Sequence, residues 1–407
     1  MKGYTRDLTE ILHLLENYPL KSYSELAQKI SVSPQTFIRG VEELRAQKVI
    51  REVYSSLNPE SLHLERHIVI FLTESMEGIK TLELSCDVHP YTSSRNRIFG
   101  PDYGLYAVFD IPRGSFRNLK LFLENLLEKK YCVKYYTHKS QGRRKSYPQP
   151  FHNNIIDLEE FDLEAYLVQK ATPLYTGKGG RESPLSSLEL HPIELLTLRD
   201  ITLNFRTPMS QLIKKYRKYM RSKKGELEDY IFPETFRPHL EEFFRDERTE
   251  NAIYMDFKKR YHALIEKHIE SYNLGINRKN FERFIVFGYV IHNISKEEKL
   301  RLFSLFESER PPFSIYIEDL DRSLFLSLAL PPYYQTKFAY IMKETYEKFS
   351  AFLLDSFGYN AMKYRFFVGN YDIEKKEWKE DEEWMVTGVI KGIEEKLSKK
   401  EYRIVKT

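Results

Sequence analysis

The chain is short of the residues that staple or anchor proteins. Two cysteines in 407 residues, Cys86 and Cys132, are too few for a disulfide framework and lack metal-ligand spacing. Both read as core residues of a protein kept in a reducing compartment. No apolar run approaches the roughly 18–20 residues of a membrane span, and the first residues carry no apolar signal-peptide region. A soluble cytoplasmic protein with no membrane partner is the expectation. No Walker loop, dinucleotide-binding glycine fingerprint or Gly-x-Ser-x-Gly elbow occurs. Gly177-Lys178-Gly179-Gly180 sits in a Pro/Gly-rich stretch and reads as a flexible loop. The histidines are scattered, and His262 and His268 fall on different faces of one helix. The sequence therefore predicts no enzyme: no catalytic residue, no metal and no cofactor. A net charge of only +4 means that any affinity for nucleic acid must come from local clusters.

What the chain does have is a repeat. Residues 33–46 read SPQTFIRGVEELRA and residues 232–245 read FPETFRPHLEEFFR, offset by 233 − 34 = 199. A repeat that long implies two related domain pairs rather than a stacked solenoid.

In the first copy, Leu8, Ile11, Leu12 and Leu15 mark a helix, Leu26, Ala27 and Ile30 a second, and Phe37, Val41 and Leu44 a third. Ser33 is placed to cap the third helix and Pro34 to open it. Residues 48–54 read as a short strand pair, completing a winged helix-turn-helix. Beyond residue 66 the pattern becomes strand-helix-strand-strand-helix-strand, the ferredoxin-like order. The second unit repeats the programme, with helices expected over 192–203, 208–220 and onward to about 273. Its strands are expected at 284–291, 313–318, 324–330 and 362–368, and its last helix at 335–353. The expected domains are residues 1–60, 65–138, a linker with a short hairpin over 139–190, 191–275, 281–370 and a tail over 371–407. The fold class is α+β: two winged helix-turn-helix and two ferredoxin-like domains in tandem, the latter paired within the chain as a pseudo-dimer.

Three phrases, LTEILHLLEN, SYSELAQKISVSPQTFIRGVEELRAQKVIREV and SLNPESLHLERHIVIFL, resemble the Lrp/AsnC family of prokaryotic transcription regulators. The resemblance implies a winged helix-turn-helix followed by a ligand-sensing domain that pairs back to back through its sheet. It also implies a small-molecule effector, whose site residues the sequence does not locate. Where that family has a Gly-Asp-Tyr-Asp-like turn, this chain has Gly100, Asp102 and Tyr103 only loosely matched.

Helical geometry turns Gln35, Thr36 and Arg39 outward on the half of helix 34–46 that enters a major groove. Arg39 can read guanine and Gln35 adenine, while Lys29 and Ser33 can take phosphates. Arg45, Lys48 and Arg51 extend the positive edge. Double-stranded DNA is the expected partner, read by a sequence-specific, archaeal-style regulator. In the second copy Pro238 interrupts the helix and Glu234, Thr235 and Arg237 make a poorer groove-facing set, so one reading head per chain implies a homodimer. Lys214, Lys215, Arg217, Lys218, Arg221, Lys223 and Lys224, interleaved with Tyr216 and Tyr219, can grip a phosphate backbone. Two alternatives stand beside this reading. One is a ligand sensor or assembly scaffold that no longer binds DNA. The other is an enzyme resembling the sirohaem decarboxylases, which look like tandem Lrp/AsnC units; His89-Pro90-Tyr91 and Arg95 fall near that branch's His and Tyr residues.

Overall fold

The structure, a computed structural model, describes residues 6–100, 103–146, 161–169, 188–222, 233–245, 247–276, 285–308, 311, 313–355 and 361–398. Helices α1 (Arg6–Asn17), α2 (Tyr23–Lys29) and α3 (Pro34–Ala46) enclose a small core around Leu12, Leu26, Phe37, Val41 and Leu44. Helix α3 starts where its chemistry dictates. The Ser33 hydroxyl accepts from the Thr36 N–H at 3.1 Å, and Pro34 sits in the first turn, where an N–H would have no partner. Strand β1 (Ile50–Leu57) follows, but it forms no local wing. It pairs antiparallel with β7 (Ile269–Ile276), more than two hundred residues away, and Leu274 of β7 completes the small core. The helix expected to run to residue 273 therefore ends at His268, because β1 supplies the backbone partners that draw the next residues into a strand.

Two stretches share one element order. The first runs β2 (Leu64–Thr73), α4 (Met76–Val88), β3 (Thr92–Phe99), β4 (Tyr103–Pro112), α5 (Phe116–Glu128) and β5 (Lys134–Lys139). The second runs β8 (Ile285–His292), α11 (Lys296–Ser308), β9 (Ser314–Leu320), β10 (Ser323–Leu330), α12 (Pro332–Thr345) and β11 (Phe349–Asp355). The strand orders correspond as well, β5-β2-β4-β3 in one and β11-β8-β10-β9 in the other. Between them lie β6 (Gly142–Ser146), α6 (Leu163–Leu167), α7 (Pro192–Ile201), α8 (Met209–Arg221), α9 (Arg237–Phe243) and α10 (Glu250–His268).

Two further sequence expectations fail for identifiable reasons. Helix 335–353 stops at Thr345; residues 349–355 are instead drawn between β8 and β3, with Phe352 and Leu354 turned inward. The closing strand expected at 362–368 shrinks to β12 (Ala361–Lys363), which pairs with β3. In the stretch expected as a linker with a short hairpin, β5 extends to Lys139 and β6 pairs with β9, while residues 147–160 and 170–187 lie outside the described residues. At Pro238 the repeat also loses its shape. Glu234–Phe236 forms a 3-10 turn, and α9 starts at Arg237, which puts the proline in a first turn where it is tolerated.

Strand pairing joins both stretches into one ten-stranded antiparallel sheet, with β3 against β11 at one seam and β6 against β9 at the other. Strands β5 and β6 stand at opposite ends of the strand order, yet only Ser140 and Gln141 separate them. The sheet must therefore curl until its ends meet. Its inner faces bury Ile68, Ile70, Tyr106, Val108, Val290, Phe325 and Phe352 against one another. Gly288 leaves room there for the Phe352 ring, which a Cβ would meet at 2.4 Å. Outside the sheet, the hairpin β13 (Tyr371–Asp372) and β14 (Glu377–Trp378) and helix α13 (Gly388–Ser398) close over α4 and α5. Trp378 donates to the Leu62 carbonyl at 2.7 Å, and Met385, Val389 and Ile393 join a core that also takes in α7 to α10. Among the described residues, no helix is long and apolar enough to cross a membrane.

Candidate functional site

A cavity of ≈ 1040 Å³ opens where the curled sheet meets the β1/β7 ladder and the segment 361–367. Alternation along the strands builds its floor. Arg66 stands two residues before Ile68 on β2, Asp110 two after Val108 on β4, and Tyr316 two before Glu318 on β9. Each polar side chain thus points to the same inner face as its apolar neighbours. Tyr106 stacks on Phe325 at 4.9 Å, and the Tyr316 ring meets Phe325 edge-on at 6.1 Å. Tyr54, Ser56, Glu270 and Tyr272 come from the β1/β7 side, and Lys363, Tyr364 and Arg365 from the other wall.

Charge at the floor is arranged in pairs. Arg66 forks onto Asp110, Nε to Oδ1 at 2.7 Å and Nη2 to Oδ2 at 2.8 Å. Burial works against the guanidinium charge, but Asp110, and behind it Glu318, hold it firmly protonated. Glu318 is fully buried, and burial pushes its carboxyl above the ordinary range against the pull of Arg66, Ser140 and Tyr316. Tyr316 donates to Glu318 Oε2, while Oε1 has no hydrogen bond of good geometry among the described residues. Higher on the wall, Arg143 binds Glu270 at 2.8 Å through Nε and the Leu57 carbonyl at 3.0 Å. The Lys363 ammonium lies 4.1 Å from the centre of the Tyr54 ring. Among the described residues no group of three or more His, Cys, Asp or Glu side chains is arranged to hold a metal ion.

The residues expected to read DNA lie elsewhere. Lys29, Ser33, Gln35, Thr36, Arg39, Arg45, Lys48 and Arg51 are all exposed on the α1–α3 unit and its following strand. Several are already occupied: Ser33 bonds Thr36, Lys29 sits 4.5 Å from the Tyr18 ring centre, and Arg45 faces Glu52 at 3.8 Å. Part of the basic run of α8 is engaged by acidic side chains. Lys215 pairs with Asp200 at 2.9 Å and Arg217 with Glu250 at 2.7 Å. Lys214, Lys218 and Arg221 are exposed, and Lys223 and Lys224 lie outside the described residues.

The His-Pro-Tyr stretch is mainly structural. His89 lies in the aromatic core, 4.7 Å from Phe122 and 5.0 Å from Phe109, and does not face the cavity. Tyr91 reaches the cavity wall but donates to the Lys379 carbonyl at 2.7 Å. Arg95 is held by Glu83 at 2.7 Å and by the Tyr364 hydroxyl at 2.8 Å. Burial drives His89 down to about 3 and His191 and His268 down to about 4. The unfolded chain protonates these rings near pH 6.5, the folded chain only well below it, so unfolding takes up protons in between. Stability is thus complete above that range and falls as pH drops toward 4. His89 alone contributes up to about 1.4 kcal/mol per pH unit in that window. His89→Phe is expected to flatten the slope by about one proton, which urea midpoints measured from neutral to acidic pH will check.

No protein-family model and no curated protein sequence matches the chain. Among solved structures, the sirohaem decarboxylase NirDL parallels 96% of this chain and 100% of its own, at 12% identity and a TM-score of 0.48. The same enzyme with an iron-uroporphyrin III analogue gives 96%, 100%, 12% and 0.47. The regulator AsnC of E. coli parallels 34% of this chain and 93% of its own, at 16% identity and 0.30. Two expectations are corrected on this finding: a sequence-specific transcription regulator of the Lrp/AsnC type, and a chain with no enzymatic activity. The likeness that spans the chain is to an enzyme, whereas the regulators cover about a third of it.

Sequence reasoning missed Arg66, Asp110, Tyr316 and Glu318. A signal was available: each is a polar residue at an inward register position of an otherwise apolar strand face.

Proposed function

We propose that the chain is an enzyme of the decarboxylase type that binds a large, flat, polycarboxylated ring system, a tetrapyrrole, between its two halves. The cavity carries this reading. At ≈ 1040 Å³ it reaches the top of the usual range for small-molecule sites, far more than an amino-acid effector fills. Its floor is an apolar base in which Tyr106 is backed by the buried Phe325 ring, a flat support for a flat body. Arg66, Arg143, Lys363 and Arg365 surround that floor and can meet carboxylates by charge-assisted hydrogen bonds. The solved neighbour named for sirohaem decarboxylation and bound to an iron-uroporphyrin analogue belongs to the same ligand class.

We also infer a duplicated chain in which two winged-helix units and two ferredoxin-like units make an intramolecular counterpart of a dimer. The matching strand orders and the two seams support it. The cavity then has walls from both halves. Loss of a carboxyl group needs no oxidant: CO₂ leaves, and the carbon it leaves takes a proton.

Iron-uroporphyrin III is the probe. Wild type is expected to shift its visible absorption on binding and to lower its mass by whole CO₂ units on incubation. Ser327→Trp, which drives an indole into the cavity, is expected to weaken binding at least about tenfold, since a filled site must lose its stacking and charge contacts. Equal binding by this variant, or no uptake by wild type, counts against the reading.

A further inference from the structure

Beyond the ligand reading stand the exposed Tyr333 and Tyr340 on α12, the small pocket beside Arg199 and Lys215, and the buried acid behind Tyr316. Only the last joins a reactive group to a space where a substrate fits. Resting on the decarboxylase reading above, we propose that Tyr316 gives its phenolic proton to the carbon that loses CO₂, and that Glu318 behind it holds and replaces that proton.

The geometry assigns the roles. Tyr316 lines the cavity; Glu318 does not. The two are i and i+2 on β9, so both point inward, and the phenol is bonded to the carboxyl. Oε1 has no hydrogen bond of good geometry among the described residues, and a proton on the carboxyl lowers the cost of burying it. The charged groups facing the carboxyl are Arg66 on β2 and Asp110 on β4, and the Ser140 hydroxyl on the β5–β6 link pulls on it as well. Tyr106 and Glu270 also stand within electrostatic reach of this cluster. Arg66 spends its fork on Asp110, so it offers Glu318 charge but no bidentate bond. Burial is the largest influence on both groups and favours the neutral acid and the neutral phenol.

The step balances. The substrate carboxylate departs as CO₂, and the electron pair of the broken C–C bond stays on the ring-bound carbon. With Glu318 neutral the contact reverses, the carboxyl donating to the Tyr316 oxygen and freeing the phenolic proton for the substrate. The carbon takes the Tyr316 proton, the phenolate takes the Glu318 proton, and Glu318 recovers one from solvent after release. The net change is R–COO⁻ + H⁺ → R–H + CO₂.

Tyr316→Phe and Glu318→Gln separate this relay from the ligand reading. With iron-uroporphyrin III, Tyr316→Phe is expected to bind within about threefold of wild type but to lose about 10²–10⁴-fold in single-turnover CO₂ release, the range of general acid catalysis. Glu318→Gln is expected to slow release less and to move the alkaline limb of the rate profile. Infrared spectra without substrate add a second readout. Wild type at neutral pH is expected to show the carbonyl stretch of a protonated, buried carboxylic acid, lost in Glu318→Gln and shifted in Tyr316→Phe. Wild-type turnover by Tyr316→Phe, or no such band in wild type, overturns the relay and leaves the ligand reading standing. Failure of wild type to bind the porphyrin overturns both.

Discussion

Replacing Arg66 with methionine is expected to destabilise the protein by about 3–5 kcal/mol, the cost of leaving one member of a buried ion pair alone. Arg66 is 8% exposed, and its two bonds to Asp110 are the main compensation for removing both charges from water. Without the guanidinium, Asp110 faces Glu318 and the aromatic floor with nothing to offset its charge. The double variant Arg66→Met/Asp110→Leu is expected to recover most of the loss, because the pair itself contributes little once its desolvation is counted. Urea unfolding of the two single variants and the double variant checks this. Porphyrin binding separates the site from the scaffold: both Arg66 variants are expected to bind iron-uroporphyrin III at least about tenfold more weakly, the double variant despite its recovered stability.

Truncating Phe325 to alanine is expected to cost about 3–5 kcal/mol, the range for emptying a large aromatic site. Phe325 is 1% exposed, stacks on Tyr106 at 4.9 Å and contacts Phe352 at 6.4 Å, so it ties β4 to β10 and β11 across the interior of the curled sheet. A cavity made there enlarges the ligand space rather than collapsing, since the rings around it are fixed on three strands. Phe325→Leu keeps apolar bulk and is expected to recover more than half the stability. It is not expected to restore full porphyrin affinity, because leucine no longer backs the Tyr106 ring with a flat face. Thermal unfolding of both variants beside binding measurements separates these effects.

Local rules carried the sequence analysis where local chemistry decides. Ser33 and Pro34 set the start of α3, and the apolar spacing of Phe37, Val41 and Leu44 set its buried face. The strands around Ile68, Leu105 and Leu324 were legible for the same reason, since each is a short apolar run bounded by turn formers. Distant partners decided the rest. Residues 269–276 and 349–355 become strands because β1, β8 and β3 offer edges that no local pattern announces. Pro238 was recognised as incompatible with the repeated helix, and the turn at Glu234–Phe236 is how the chain accommodates it. The cavity was invisible for a further reason. Its floor brings together Arg66, Asp110, Tyr316 and Phe325 from sequence positions far apart, and charged residues on strands read as solvated until the sheet is known to curl. Basic runs stand out more readily in a sequence, yet Lys215 and Arg217 of α8 are held in ion pairs.

The central claim is that the space between the two halves is the site of a flat, carboxylated ring. A crystal structure of the chain grown with iron-uroporphyrin III tests it most directly. The account predicts the macrocycle against Tyr106 and Phe325, with carboxylates reaching Arg143, Lys363 or Arg365 and one of them beside the Tyr316 hydroxyl. A macrocycle bound elsewhere on the protein, with this cavity holding only water, would contradict it.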